Sequence, residues 1–203
     1  MKLATLPHAD QRSADILNRV RVAFAEKGFD GASMQDLARS AGMSVGNFYR
    51  YFPSKAAIVE ALIARDLAEM QADFSTVLQS DHPMDSLRTH MRRRLVDHRE
   101  RQDGQLWAEI TAAALRKPEI CQAACNMEAQ IIQFLNRIFA AETGLTETEI
   151  MLRFPAHAAF AITMFKAAAM LPPQNDVARD HLTALIHRNI DLTLGEIVAC
   201  KKA

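Results

Sequence analysis

The scarcity and placement of helix-breaking residues constrain this fold more than any other feature of the sequence. The 203 residues include only seven glycines and seven prolines. No stretch alternates apolar and polar residues over a useful length, so strands are not expected. The sequence therefore predicts an all-α fold, with breaks at Gly28, Gly31, Gly42, Pro53, Pro83, Pro118, Gly144 and Pro172-Pro173.

Charge divides the chain unevenly, although the net charge is zero. Residues 1–55 hold eight Lys and Arg against five Asp and Glu, a net charge of +3, and residues 56–203 hold the compensating −3. With 49% hydrophobic and 24% charged residues, the composition is that of a globular protein with a core. The asymmetry favours a polyanionic partner for the N-terminal part and a different role for the rest.

Capping signals set the bounds of the first three predicted helices. An apolar stripe predicts a helix over 10–27 that ends at Gly28, a residue suited to the left-handed conformation. Ser33 is an expected N-cap for a short helix over 34–41. After a turn formed by "GMS", a third helix is predicted over 45–52. The later helices are expected at 56–78, 84–101, 104–116, 118–142, 146–170 (kinked at Pro155) and 177–199.

The third predicted helix has two chemically different faces. Ser44 is its expected N-cap. At 100° per residue, Phe48 and Phe52 lie within about 40° of each other and define an inward face. Arg50 then points directly away from them. The other outward or flanking groups are Gly46, Asn47, Tyr49 and Tyr51.

Two short helices joined by a glycine turn form a helix-turn-helix, whose second helix enters the DNA major groove. An outward guanidinium, amide and phenols are suited to base edges and phosphates. Lys55 adds a cation at the start of the next helix, where backbone N–H groups also suit a phosphate. The alternative remains open at this point, because many proteins that do not bind DNA contain two short helices around a glycine.

The segment "FAEKGFDGASMQDLARSAGMSVGNFYRYFPSKAAIVEAL", Phe24 to Leu62, resembles the N-terminal DNA-binding domain of the TetR/AcrR family of bacterial transcriptional regulators. The similarity covers about forty residues, and Pro53 and Met43 depart from the usual family pattern. It implies a base contact for Gln35 and places Ser33 and Met34 at a helix N-terminus facing phosphate. The remaining implied DNA contacts are Ser44, Gly46, Asn47, Tyr49 and Arg50 in the turn and recognition helix, and Tyr51 and Lys55 on phosphates.

The resemblance also implies that the chain has two domains with different functions. Residues 1–55 are expected to form the helix-turn-helix domain, and 56–203 a helical domain for ligand binding and dimerisation. The wide apolar faces of the last two helices, about 146–199, predict the homodimer interface, since paired subunits double the contact with a palindromic operator. These faces can also be ordinary core.

A mostly apolar effector pocket is expected between residues 84 and 142. Arg94 is either an anchor for an anionic ligand or a solvated member of an arginine run, and Trp107 is either a pocket wall or ordinary packing. The candidate lining residues are Met91, Arg94, Leu95, Trp107, Ile110, Thr111, Met127, Ile131 and Phe134.

Other functions lack supporting motifs. Cys121 and Cys125 have helical spacing but no histidine at ligand spacing, so no metal and no cofactor are expected. No nucleophile elbow, phosphate-binding glycine loop or paired carboxylates indicate an enzyme. Without a signal peptide, a membrane span or a disulfide framework, a cytoplasmic protein with no membrane partner is expected. The leading hypothesis is a repressor released by a small molecule, and the alternative is an architectural or partner-binding DNA-binding protein without an effector.

Overall fold

The computed structural model describes residues 7–100, 103–171 and 176–200, and within these ranges all regular secondary structure is helical. The all-α prediction is confirmed. The predicted break at Pro172-Pro173 lies outside the described residues. The helices are α1 (Pro7–Gly31), α2 (Met34–Ser40), α3 (Val45–Tyr51), α4 (Lys55–Leu78), α5 (Pro83–Glu100), α6 (Asp103–Ala114), α7 (Pro118–Thr143), α8 (Glu147–Arg153), α9 (His157–Ala169) and α10 (Asp176–Val198).

The expected kinked helix over 146–170 is wrong, because two separate helices occupy this region. Helix α8 ends at Arg153, and α9 begins only at His157. Phe154 leaves the helical conformation, with φ −128° and ψ 52°, and its side chain is buried. Proline disfavours helical backbone in the residue before it and has no N–H to donate, so Pro155 ends the helix.

The chain divides into two compact units. The first consists of Met1–Arg65 with Gln105–Ala124, and the second of Asp66–Gly104 with Cys125–Ala203. The first unit thus takes in part of α4 and a distant segment from α6 and α7. The predicted boundary between residues 55 and 56 separates a DNA-binding part from a part for ligand binding and dimerisation, and it remains a proposal.

An apolar core holds the first unit together. Fully buried side chains of α1, α2, α3 and α4 contribute to it, so the short helices are fixed by packing as well as by their caps. Burying each of them contributes about 1.5–3 kcal/mol. They are Val20, Phe24, Leu37, Phe48, Ile58 and Leu62.

The second unit has its own core, to which α4, α5, α7, α8, α9 and α10 contribute. Its fully buried members include Leu87, Ile138, Phe139, Ile150 and Leu194. Helices α5, α9 and α10 contact one another. At Gly104 a side chain is impossible without rearrangement, since a Cβ atom would lie 2.5 Å from the Ala169 carbonyl oxygen.

Candidate nucleic-acid interface

Helix α2 begins with a complete capping box. The Ser33 hydroxyl accepts the Asp36 N–H and donates to the Asp36 carboxylate, which also accepts the Ser33 N–H. Lys27 Nζ lies 2.6 Å from the same carboxylate. Hydrogen bonds from Lys27 and then from Ser33 hold the pKa of Asp36 well below its ordinary value. Ser33, implied to face phosphate, therefore has its hydroxyl engaged within its own helix start.

The turn between α2 and α3 is built on a left-handed glycine. Gly42 has φ 69°, and its N–H donates to the Arg39 carbonyl, while the Met43 N–H donates to the Ala38 carbonyl. These bonds satisfy carbonyls that the end of α2 would otherwise leave unpaired. The Ser44 hydroxyl then accepts the Asn47 N–H and starts α3.

Helix α3 has the predicted inward face. Phe48 is fully buried and Phe52 nearly so, with ring centroids 5.6 Å apart. Tyr49 and Tyr51 are exposed by 47% and 38%, and Arg50 is also exposed. Since the two phenylalanines anchor the helix, the polar side chains on its other faces meet solvent.

Gly46 and Asn47 complete the outer surface of α3. Gly46 is exposed, and a Cβ atom placed there would have no neighbour within 4 Å. The local fold therefore does not require glycine at this position. Asn47 is half-buried.

The outer surface of α2 includes one group that the sequence reasoning missed. Gln35 is exposed and Met34 half-buried. Arg39 lies four residues after Gln35 on the same side of the helix, and its side chain is 80% exposed. The four-residue separation from Gln35 could have identified Arg39 from the sequence as part of the same exposed surface.

Lys55 is more engaged than the sequence indicates. Its Nζ donates to the Phe29 carbonyl at 2.6 Å and the Asp30 carbonyl at 3.3 Å, and it lies 4.9 Å from the Phe29 ring centroid. These bonds use two of the three ammonium hydrogens. The implied phosphate contact of Lys55 thus depends on the third hydrogen or on displacement from these carbonyls.

The residues of the expected pocket have varied surroundings. In the second unit, Met91, Met127 and Phe134 pack against the core that contains Ile131, and Leu95 is buried. In the first unit, Ile110 is buried and Thr111 is exposed, with its hydroxyl donating to the Trp107 carbonyl. The buried indole nitrogen of Trp107 has no hydrogen-bond partner among the described residues.

Arg94 lines a polar cleft in the second unit. The cavity volume is about 20 Å³, which is room for a water molecule rather than for a ligand needing ~300–1,000 Å³. Arg94 Nη1 also lies 3.4 Å from an oxygen of Asp73. The many carboxylates disfavour an anion here. The lining residues are Asp66, Glu69, Arg94, Asp97, His98 and Asp103.

Among the described residues, no cluster of three or more His, Cys, Asp or Glu side chains is arranged to hold a metal ion. None of the described helices has both the length and the apolar character needed to cross a membrane.

Comparison with known proteins identifies relatives of the first unit. Residues 16–62 match the family model described as bacterial regulatory proteins, tetR family. The HTH-type transcriptional regulator UidR of Escherichia coli K12 is 32% identical over 122 residues, which cover 59% of this chain and 60% of UidR. The chain is thus matched to less than two thirds of that relative.

Solved structures show the same fold over nearly the whole chain. Salmonella enterica GusR has a TM-score of 0.71 at 22% identity, covering 97% of this chain and 98% of its own. AibR, in complex with isovaleryl coenzyme A and operator DNA, has a TM-score of 0.64 at 17% identity, covering 88% and 97%. These similarities extend the shared fold beyond the helix-turn-helix to the C-terminal helices.

Proposed function

We propose that the chain, whose residues 16–62 match the tetR family of bacterial regulatory proteins, is a dimeric transcriptional regulator of that family that binds a palindromic operator. In this proposal it acts in the cytoplasm as a repressor, and a small molecule bound by the C-terminal helices releases it from DNA.

The outer face of α3 is the single observation that carries the proposal. Asn47, Tyr49 and Arg50 lie on a helix that is fastened from behind by Phe48 and Phe52. An amide and a guanidinium can each make two hydrogen bonds to a base edge in the major groove. The open space at Gly46 allows the DNA backbone or a base edge to approach the helix closely.

Neighbouring groups position the protein on the phosphates. Gln35 and Arg39 extend the exposed polar surface along α2. Arg39 adds a cation that the sequence reasoning did not assign. The proposed phosphate and turn contacts are Ser33, Met34, Ser44, Tyr51 and Lys55.

An exposed seam on α10 supports a homodimer. The exposed residues of this seam recur at alternating intervals of four and three along the chain, which is the spacing of residues at a helix–helix contact. Leu185 and Leu192 are exposed by 47% and 64%, which is unusual for leucines on a helix that also contributes to a core. Phe160 on α9 adds an exposed ring. The seam residues are Ala178, Leu182, Leu185, Asn189, Leu192 and Glu196 on α10, followed by Ala199 just after the helix, all exposed.

The AibR complex supports an effector, because that protein binds both isovaleryl coenzyme A and operator DNA on the same fold. The packing of Met91, Met127 and Phe134 against the core that contains Ile131 favours the second candidate, an architectural or partner-binding protein without an effector. A pocket can still form if a ligand selects a more open state.

Binding titrations test the DNA-binding function. A duplex enriched from a random pool by the wild-type chain is labelled, and its anisotropy is followed with protein concentration. Replacing Asn47, Tyr49 and Arg50 together by alanine should reduce affinity to that for random DNA. Arg153→Ala, at an exposed arginine of α8, is the matched control and should bind as the wild type does. Equal affinities of the triple variant and the control contradict the proposal.

A thermal-shift screen of metabolites, followed by the same titration, separates the two candidates. The regulator proposal expects a compound that stabilises the protein and weakens operator binding, with a coupling of about 1–3 kcal/mol. Compounds that bind tightly and leave DNA affinity unchanged support the architectural alternative.

A further inference from the structure

The turn that leads into α2 is held by a side chain from α6. Gly28 leaves the helical conformation, with φ 71° and ψ 168°. The next N–H, that of Phe29, donates to Glu109 Oε2 at 2.9 Å, across 80 residues of sequence. Both groups belong to the first unit. The Phe29 N–H, which directly follows this break in α1, therefore has its acceptor on α6.

Glycine suits position 28 because of its backbone conformation and because of the close approach of the Glu109 side chain. Its positive φ disfavours other residues. A Cβ atom there would also lie 2.8 Å from Glu109 Oε2 and 3.2 Å from its Cδ. The missing side chain makes room for the carboxylate, so Gly28 and Glu109 fit each other.

Further contacts tie the same turn to the α6–α7 segment. The Asp30 carboxylate lies 3.2 Å from Arg116 Nη2 and 3.4 Å from Lys117 Nζ. Lys117 Nζ also lies 5.3 Å from the Phe29 ring centroid. The segment thus contacts the backbone, the ring and the neighbouring charge of one short stretch.

This stretch also contacts the start of α4. The Phe29 carbonyl accepts from Lys55, the first residue of α4, three residues after Phe52 ends α3. On the other side, Ser33 begins α2 only four residues after Phe29. Phe29 is therefore linked to the start of α2 through four residues of chain and to the start of α4 through Lys55, three residues beyond the C-cap of α3.

We propose that Glu109 is a positioning residue for DNA binding. It holds Phe29 in the conformation that sets α2 and α3 against α1, and it touches no DNA itself. The inference rests on the proposed DNA-binding function. It extends the DNA-binding module beyond residues 16–62 and makes Gln105–Ala124 a structural part of it.

The test compares Glu109→Ala with Glu109→Gln in the full-length chain. Glu109→Ala removes the acceptor and should weaken binding to the enriched duplex about tenfold. Glu109→Gln keeps an oxygen that can accept the Phe29 N–H and should bind within about twofold of wild type. The salt dependence of binding should be unchanged in both, because no phosphate contact is lost. Hydrogen exchange without DNA should show faster exchange at the Phe29 amide in Glu109→Ala alone.

Two controls separate positioning from general destabilisation. Glu119→Ala removes an exposed carboxylate from α7, and Ile138→Val trims the core of the second unit. Both should leave DNA affinity unchanged, although the second lowers the melting temperature. If Glu109→Ala does not fold, Glu109→Asp, which withdraws the carboxylate by one methylene, takes its place.

Three results overturn the proposal: wild-type affinity in Glu109→Ala, equal losses in Glu109→Gln and Glu109→Ala, or a flatter salt dependence. Failure of the wild-type chain to enrich any duplex contradicts the DNA-binding function instead. In that case the Phe29 exchange rates still decide whether Glu109 holds the turn.

Discussion

Arg50 and Lys55 are both cations of the helix-turn-helix region, but their surroundings differ. Arg50 is exposed on the side of α3 opposite Phe48 and Phe52. Lys55 is half-buried and bonded to two carbonyl groups. The exposed guanidinium of Arg50 is better placed to reach into a groove, so we propose that Arg50 reads bases.

Arg50→Ala should cost about 1–3 kcal/mol of operator binding and relax the preference at one base pair in each half-site. The reason is that a guanidinium can bond two acceptors of guanine, which alanine cannot replace. Titrations on the operator and its single-base variants measure both effects. If the variant loses affinity and keeps the full ranking of base variants, Arg50 is a phosphate contact.

The capping box makes a prediction about pH. Because its bonds to Lys27 and Ser33 hold the folded-state pKa of Asp36 below the ordinary value, the ionised carboxylate stabilises the folded state. That contribution is complete above the unfolded-state pKa of about 3.9 and is lost as the pH falls from there through the folded-state pKa. Asp36→Asn should therefore unfold at lower urea than wild type at pH 7, and the gap should shrink below about pH 4.

Asp81→Asn, at an exposed carboxylate outside the cap, is the control and should show no comparable gap at pH 7. A difference for Asp36→Asn that stays constant from pH 7 to pH 3 would refute the role of its charge.

At the scale of elements, one side of α3 packs into the core, and the opposite side is the proposed DNA-contacting surface. Phe48→Ala should lower the free energy of unfolding by about 3–5 kcal/mol, because it opens a cavity where the ring is fully buried. Tyr49→Ala, at the next residue, should change stability by less than about 0.5 kcal/mol and still weaken operator binding. Urea unfolding and binding titrations on the same samples compare them. Equal losses of stability in the two variants would contradict this division.

Local signals explain why the first helices were predictable. Ser33 and Ser44 are caps whose bonds lie within three residues, and Gly42 supplies a left-handed turn. The Phe48 and Phe52 pair follows from helical periodicity alone. Glu109 could not be placed in the same way, since its partner lies 80 residues away. Sequence spacing holds no information about such a contact.

The break at Pro155 and the bonds of Lys55 were missed for a related reason. A proline can kink a helix or end it, and the outcome depends on whether a residue such as Phe154 gains more from burial than from helical bonds. Lys55 sits at a helix start, where a phosphate is a reasonable partner, but the carbonyls at the end of α1 are closer acceptors.

For the whole molecule, the α10 seam predicts a homodimer. Leu185→Glu or Leu192→Glu should produce monomers, because each places a charge in a contact that buries apolar surface. Val96→Glu, at an exposed valine of α5 outside the seam, should leave the dimer intact. Sedimentation equilibrium at micromolar protein distinguishes these cases. A monomeric wild-type chain would contradict the interface and the paired recognition helices.

The C-terminal helices were predictable as a fold but not as a site. Apolar periodicity identifies core-facing residues, and it does not distinguish a pocket wall from a packed core. Met91, Met127 and Phe134 accordingly pack against the core, while Arg94 lines a polar cleft whose other lining residues are Asp66, Glu69, Asp97, His98 and Asp103.

The symmetry of the enriched DNA tests the central claim most directly. The full-length chain is used to select duplexes from a random pool, the recovered sequences are aligned, and the mass of the complex gives the number of chains per duplex. A dimer with one recognition helix per subunit predicts an inverted repeat whose half-site centres lie about 34–36 Å apart or a whole multiple of that distance, with an even number of chains bound. A single unrepeated motif bound by one chain, or no enrichment above the starting pool, would contradict it.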